Sequence, residues 1–172
     1  MPSKFSAIPG AQGYQQSNPS VLATVSLLGS LQVFKEVGMM EPLRKRSVLL
    51  TGYLESLIVR SAFYVTADLV AEKYPPGDEE TRARTRQPSF TIITPHDPES
   101  RGAQLSLLFL PAGTSIMQEI FDYLLSKGVV GDERKPDVIR LAPAPLYNTK
   151  IDCERAALAL EEGFQLLVKE NN

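Results

Sequence analysis

Two hydrophobic periodicities divide the chain: the first part repeats its apolar residues at helical spacing, and the second part mixes that spacing with strict alternation. Over residues 19–37 the apolar positions predict a helix whose buried face is formed by Val21, Leu28, Leu31 and Phe34. Asn18 as the N-cap and Pro19 as the first helical residue predict where this helix begins, because the missing N–H of proline costs nothing there. Gly38 predicts its end. A second helix is predicted from about residue 41 to residue 74.

Alternation of apolar and polar residues predicts strands further along the chain. Residues 89–94 and 103–110 are β-rich, and Leu105, Leu107 and Phe109 alternate on one side of the second of these strands. The segment HDPESRG between them has a length that suits a hairpin turn. Two short strands are also predicted, at about 129–134 and 137–142.

Helices are predicted before and after that short strand pair. The first is capped by Thr114 or Ser115 and stopped by Gly128, and one of its faces carries Ile116, Ile120, Phe121 and Leu124. A capping-box-like pattern from Thr149 to Asp152 begins the last helix. Its apolar stripe comprises Cys153, Ala156, Ala157, Leu160, Phe164 and Leu167.

The order of elements is helix, helix, strand, strand, helix, strand, strand, helix. Such an order is typical of an α+β fold, with a sheet of about four strands and helices on one face, preceded by two helices. Residues 1–74 are predicted to hold an N-terminal arm and the two helices, residues 75–88 an exposed connector, and residues 89–172 a small α/β domain.

Composition and charge exclude several classes of protein. Apolar residues make up 43% of the 172 residues and charged residues 22%, which is ordinary for a folded protein. A formal net charge of −2 gives no support for a nucleic-acid partner, and no apolar run reaches the roughly 18 residues of a membrane span. The N-terminus has no secretory pattern, and a single cysteine, Cys153, fits a reducing cytosol. His96 has no second histidine or cysteine at ligand spacing, so no metal site is predicted.

One basic cluster and one single arginine are the candidate binding features. Arg82, Arg84 and Arg86 in the connector follow directly after Asp78, Glu79 and Glu80, which favours a solvated loop over a phosphate site. Arg140 ends the apolar run VIRL and precedes a loop that Pro143 and Pro145 stiffen. It either leaves the sheet to pair with a surface carboxylate, or presents its planar pair of donors to the carboxylate of an amino-acid ligand. Whether Tyr147 orients that loop or only packs stays open.

The stretch VIRLAPAPLYNT, residues 138–149, resembles the C-terminal segment of kynureninase, a pyridoxal-phosphate enzyme of tryptophan catabolism. Four other stretches resemble the family in the same order, so that the resemblance covers most of the chain apart from the connector. They are IPGAQGYQQSNPSVL (8–22), LRKRSVLLTGYLE (43–55), FTIITP (90–95) and RGAQLSL (101–107). The resemblance around VIRLAPAPLYNT itself extends back to residue 127.

This resemblance implies the small C-terminal domain of the type I aminotransferase-like fold and a hydrolase of the kynurenine pathway, which leads to NAD biosynthesis. The family cleaves L-kynurenine or 3-hydroxykynurenine to L-alanine and an anthranilate with pyridoxal 5'-phosphate (PLP). By resemblance, Arg140 binds the α-carboxylate of the substrate, and Asn18 lies beside the PLP phosphate and the substrate ring. A cytoplasmic homodimer is expected for the complete enzyme.

The resemblance does not extend to the parts that hold the cofactor. PLP chemistry needs a Schiff-base lysine. None of the lysines at positions 4, 35, 45, 73, 127, 135, 150 and 169 stands in the family's lysine motif, so no catalytic residue is assigned to this chain. We therefore expect the large PLP-binding domain to be missing and the chain alone to be inactive. The alternative is a non-catalytic interaction or regulatory module that keeps the small-domain fold.

Overall fold

The computed structural model describes residues 8–15, 17–75 and 87–170. The contacts between residues divide the chain into two compact units, Met1–Pro42 and Leu43–Asn172. Most of the predicted connector 75–88, with its three arginines and its acidic residues, lies outside the described residues. The predicted division of the chain at that connector therefore stays a prediction.

The first unit contains a short 3-10 helix, Ala11–Tyr14, and the helix α1, Val21–Glu36. The prediction that Asn18 caps α1 is wrong: Ser20 is the N-cap, and its Oγ accepts from the backbone N–H of Ala23 at 3.4 Å. Ser20 has the extended backbone conformation of an N-cap, with φ −62° and ψ 123°, and the helix begins directly after it. Its C-terminus agrees with the prediction, because Gly38 has a φ of +87° and its N–H donates to Lys35 O.

Most of the predicted buried face of α1 is exposed in this structure: Val21, Leu28 and Leu31 are exposed, and Phe34 is half-buried. Leu22 is 81% exposed, and the other large apolar residues exposed on α1 are Val21, Val25, Leu27, Leu28, Leu31 and Val33. They are spread around the whole circumference of the helix, a pattern typical of a helix that is covered on several sides. Among the described residues no single helix is long and apolar enough to cross a membrane, although α1 taken together with the helix that follows it meets the same criterion of length and composition.

We expect this apolar surface to make the isolated chain self-associate, since patches of several hundred Å² normally mark an interface. Replacing Leu28 by glutamate should weaken self-association about tenfold, because burying a carboxylate between helices costs more than burying leucine gains. Leu158→Glu is the matched control, since Leu158 is similarly exposed but lies on another helix. Sedimentation velocity over a concentration series measures the effect. Equal weakening by both variants would show that α1 is not the associating surface.

The second unit holds the remaining elements, together with most of the helix α2, Met40–Ile58. The helices are α3 (Ala67–Lys73), α4 (Ile116–Ser126) and α5 (Lys150–Glu170), and the strands are β1 (Ser89–Ile92), β2 (Leu105–Leu110), β3 (Asp132–Arg134) and β4 (Val138–Leu141). The four strands form one antiparallel sheet in the order β1-β2-β4-β3. The predictions of an α+β fold, of about four strands and of a hairpin from β1 to β2 are confirmed.

The core lies between one face of this sheet and three helices. Leu105, Leu107 and Phe109 alternate into it from β2, as predicted, and Ile139 and Leu141 enter from β4. Helices α2, α4 and α5 complete it with Leu50, Leu54, Ile58, Met117, Ile120, Leu124, Cys153, Leu160, Phe164 and Leu167. The capping box of α5 is also confirmed, since the N–H of Thr149 donates to Asp152 Oδ2 at 2.7 Å and the N–H of Asp152 donates to Thr149 Oγ1.

The prediction of one continuous helix from 41 to 74 is wrong, because α2 ends at Ile58 and the chain then runs beside β1 before α3. Tyr64 forms a parallel bridge with Phe90, the N–H of Val65 donates to Phe90 O at 2.9 Å, and the N–H of Phe90 donates to Phe63 O. The ring of Phe63 also stacks on Phe164 in the core. These tertiary contacts outweigh helical propensity, which is low for this aromatic and β-branched segment.

Candidate functional site

Arg140 lies on β4, between β2 and β3. Its neighbours Ile139 and Leu141 are buried in the core, and because side chains alternate along a strand, Arg140 projects from the opposite face of the sheet. The residues directly across the two ladders are Ser106 on β2 and Asp132 on β3. The surroundings of Arg140 on this face are therefore set by the register of both ladders.

The guanidinium of Arg140 is paired with the carboxylate of Asp132. Its Nε donates to Asp132 Oδ2 at 2.7 Å, and its Nη2 donates to the same oxygen. The side chain of Arg140 is 30% exposed and that of Asp132 is 47% exposed. The pair is thus neither fully solvated nor dry, and Asp132 is a partner that the sequence pattern did not identify.

A second arginine binds the same carboxylate oxygen. Arg134 is on β3, and its Nη2 lies 2.9 Å from Asp132 Oδ2. Two guanidinium groups therefore share one carboxylate, and this trio carries an excess of positive charge. The adjacent ion pair of Lys135 with Glu133, at 3.2 Å, is neutral by itself and does not cancel that excess. A further anion at this face of the sheet is electrostatically favoured.

The loop after Arg140 is held by hydrogen bonds as well as by its prolines. The side-chain Oδ1 of Asn148 accepts from the N–H of Ala144 at 2.8 Å, and the N–H of Asn148 donates to Ala144 O at 2.9 Å. Arg46 on α2 donates to Asn148 O at 2.9 Å and ties the loop to the helix layer. Tyr147 is 74% exposed, so its ring does not pack on the core. Asn148 braces this loop, a role that the sequence pattern assigned to the prolines alone.

Asn18, the second predicted site residue, lies in the first unit and is exposed. With Ile8, Gln12, Gln15 and Ser17 it lines a shallow open depression. Since Asn18 is not the helix cap, its amide is not committed to the end of α1. Arg140 lies in the other unit.

Cysteine and metal-binding side chains were the other candidates for a functional site. Cys153 is buried at the start of α5, and burial raises the pKa of its thiol, which makes it a poor nucleophile. It borders a cleft of about 210 Å³ whose polar walls are Lys127, Asn148, Asp152 and Arg155. Within the residues that the structure describes, no group of three His, Cys, Asp or Glu side chains is placed to hold a metal ion.

The lysines that the structure describes do not fit a Schiff-base site. Each of them, at positions 35, 45, 73, 127, 135, 150 and 169, is exposed. Lys127 borders the cleft beside Cys153, but its ammonium lies over the Tyr123 ring and 3.7 Å from Glu162. A cofactor lysine needs a desolvated pocket that lowers its pKa. The described residues therefore do not fit PLP on their own.

A buried ion pair fixes the segment that leads into β2. Arg101 is only 3% exposed, its Nη2 donates to Glu55 Oε2 at 2.5 Å, and His96 Nδ1 hydrogen-bonds the other oxygen of Glu55. Burial acts to raise the pKa of Glu55, but the hydrogen bonds and positive charges of Arg101 and His96 outweigh it, so the pKa is lowered. This contact anchors the β1–β2 connection to α2.

Replacing Glu55 by glutamine should lower the free energy of unfolding at pH 7 by about 1–3 kcal/mol, since Arg101 loses a charged partner. Because folding lowers the pKa of Glu55, its contribution is complete above the ordinary value of 4.5 and is lost as pH falls through the folded pKa. The difference between variant and wild type should therefore shrink below pH 4.5. Urea unfolding at several pH values measures this. Glu99→Gln, an exposed carboxyl in the same connection, is the control, and equal pH profiles for both variants would contradict the assignment.

Comparison with known proteins gives one consistent result. A family profile described as the kynureninase C-terminal domain matches residues 78–160. The kynureninase of Yarrowia lipolytica is 47% identical over 164 residues, which cover 95% of this chain and 35% of the relative. That of Saccharomyces cerevisiae is 45% identical over 166 residues, covering 95% and 34%, and that of Eremothecium gossypii is 42% identical over 174 residues, covering 97% and 35%. The chain thus spans about a third of the length of these relatives.

Proposed function

The chain is homologous to the C-terminal part of kynureninases, and we propose that it forms the carboxylate-binding side of a kynureninase active site. The complete enzyme hydrolyses L-kynurenine or 3-hydroxykynurenine and releases L-alanine with anthranilate or 3-hydroxyanthranilate. The lysine that binds PLP lies outside this chain. The remaining walls of the pocket are also formed by residues outside this chain. We further propose that the complete enzyme is a cytoplasmic homodimer, as expected from the family.

The observation that carries this proposal is the arrangement around Arg140. The guanidinium is half-buried on the face of the sheet away from the core, its Nε edge is occupied by Asp132, and among the described residues Nη1 makes no hydrogen bond. The end formed by Nη1 and Nη2 is therefore able to receive a second carboxylate in two-pronged geometry. The excess positive charge shared with Arg134 favours the same ligand.

The contribution of this chain to the reaction is binding and orientation. PLP, when bound by the complete enzyme, supplies an electron sink for breaking bonds at the amino-acid carbons. Arg140 holds the α-carboxylate of the substrate, and because a guanidinium grips both oxygens, it fixes the rotation of the substrate as well as its position. The braced loop 142–148 keeps the strand end of Arg140 in place.

Asn18 is proposed to lie beside the cofactor phosphate and the substrate ring of the complete enzyme. Its side chain is exposed and is not used as a helix cap, and among the residues that the structure describes no hydrogen bond occupies its amide N–H₂ or its carbonyl. The open depression around it supports a ligand-facing role.

Activity of a hybrid enzyme tests the proposal. The 172-residue sequence replaces the matching segment of the Saccharomyces cerevisiae kynureninase, and this hybrid is expected to hydrolyse kynurenine. The 172-residue chain by itself is expected to give neither turnover nor a PLP absorbance band distinct from that of the free cofactor. A hybrid that folds and binds PLP but is inactive would favour the non-catalytic interaction module instead. A PLP band in the chain alone would contradict the assignment of the cofactor lysine to other residues.

A further inference from the structure

Asp132 binds Arg140 on one particular edge of the guanidinium. Its Oδ2 accepts from Nε and from Nη2, which together form the lateral edge of the guanidinium. A ligand carboxylate approaching end-on uses Nη1 and the outer hydrogen of Nη2. The two acids thus have separate places on one planar group, which offers five N–H donors in fixed directions.

The position of Asp132 is dictated by the backbone. It stands directly opposite Arg140 in the β3–β4 ladder, so both side chains leave the sheet on the same face. The next pairs of this ladder, Glu133 with Ile139 and Arg134 with Val138, keep the same register. Because the ladder fixes the position of Asp132, its two hydrogen bonds favour the orientation of the guanidinium in which Nε and Nη2 face this carboxylate.

The charge of Asp132 does not abolish the attraction of the site for an anion. Its Oδ2 is bound by both Arg140 and Arg134, so the carboxylate neutralises only part of the positive charge around it. A carboxylate that is itself pinned between two guanidinium groups has little freedom to swing into the end-on position. These two facts distinguish a fixed support from a mobile competitor.

We propose that Asp132 is a positioning residue for substrate binding: it holds the Nε edge of Arg140 so that the Nη1–Nη2 end stays aimed at the α-carboxylate of the amino-acid substrate. This inference rests on the proposed function, since it concerns the same arginine. It also predicts the direction in which substrate binding changes when Asp132 is removed. Loss of Asp132 weakens substrate binding if the residue is a support, whereas loss of a competing acid strengthens binding.

The test is Asp132→Asn in the hybrid enzyme. Asparagine keeps the size of the side chain and one acceptor but removes the charge that holds two guanidinium groups. We expect KM for kynurenine to rise about tenfold with kcat changed less than threefold, because a ground-state binding contact is loosened and the reacting atoms are untouched. Asp122→Asn on α4 is the matched control, since that exposed aspartate accepts from Gln118 on the same helix, and it should leave KM unchanged. Equal thermal stability of both variants excludes a general loss of folding.

The double variant makes the result specific to Arg140. If Asp132 acts through Arg140, the Asp132→Asn change should have no further effect on KM once Arg140 is lysine, since coupled residues are not additive. A lower or unchanged KM in Asp132→Asn overturns the inference while leaving the function intact, provided that Arg140→Lys still raises KM. An unchanged KM in Arg140→Lys overturns the proposed function itself.

A measurement on the isolated chain gives a result independent of activity. In the ¹⁵N NMR spectrum, the Nε–H of Arg140 should exchange slowly with water in the wild type and rapidly in Asp132→Asn, because a hydrogen-bonded N–H is protected. Rapid exchange in both proteins would show that Asp132 does not hold this edge in solution, and the inference would fail.

Discussion

Replacing Arg140 by lysine in the hybrid enzyme is expected to raise KM for kynurenine roughly 100-fold, with a smaller change in kcat. Two hydrogen bonds to a charged group are lost, each worth about 1.5 kcal/mol or more, and together they correspond to a factor of about 100. Lysine supplies one compact charge in place of a planar fork.

Arg134→Lys is the matched control for this prediction. Arg134 contacts the same oxygen of Asp132 but is more exposed and lies on the edge strand β3. Its replacement should change KM less than threefold, because exposed ion pairs contribute little. Steady-state kinetics with kynurenine and with 3-hydroxykynurenine measure both variants. A KM within threefold of the wild-type value in both variants would mean that positive charge, which lysine retains at either position, and not the geometry of Arg140 attracts the substrate.

The second large effect is expected in the core. Replacing Phe164 by alanine should lower the free energy of unfolding by about 3–5 kcal/mol, since a fully buried aromatic ring leaves a cavity that its neighbours cannot fill. Phe164 stacks on Phe63, Phe90 and Phe109 with ring centroids 4.9, 5.5 and 5.8 Å away. It therefore joins α5 to β1, to β2 and to the segment that runs beside β1.

Unfolding of the chain in guanidinium chloride, followed by far-UV circular dichroism, measures this loss in the free energy of unfolding. Tyr147→Ala is the control, because that aromatic residue is exposed and its removal should change stability by no more than about 0.5 kcal/mol. A loss below about 1.5 kcal/mol for Phe164→Ala would show that the phenylalanine cluster repacks, contrary to the close packing usual in protein interiors.

The sheet and its helices were predictable because their signals are local. Alternation of Leu105, Leu107 and Phe109 needs only the neighbouring residues, and the capping box at Thr149 lies within one turn of helix. The segment 59–66 was not predictable in this way. Its backbone bonds to Phe90, far along the chain, and only the folded sheet provides those partners.

The candidate site shows the same division between local and distant information. Arg140 stood out because a cation at the end of an apolar run is unusual. Asp132 was missed because its role depends on the register of a hairpin. The two predicted strands 129–134 and 137–142 contained a signal: a turn centred on Pro136 places Asp132 opposite Arg140. The apolar pattern of α1 indicates that this helix is normally covered, but the pattern does not identify what covers it.

Both outer edges of the sheet are poorly suited to the addition of a further strand. On the outer side of β1 the backbone of Phe90 is already bonded to residues 63 and 65, and β3 is only three residues long and fully charged. Short, charged edge strands are poor templates for the addition of another chain. Aggregates of this protein should accordingly form by contacts between helices and remain amorphous. They should not include the thioflavin-positive fibrils that grow when sheets extend from one molecule to the next.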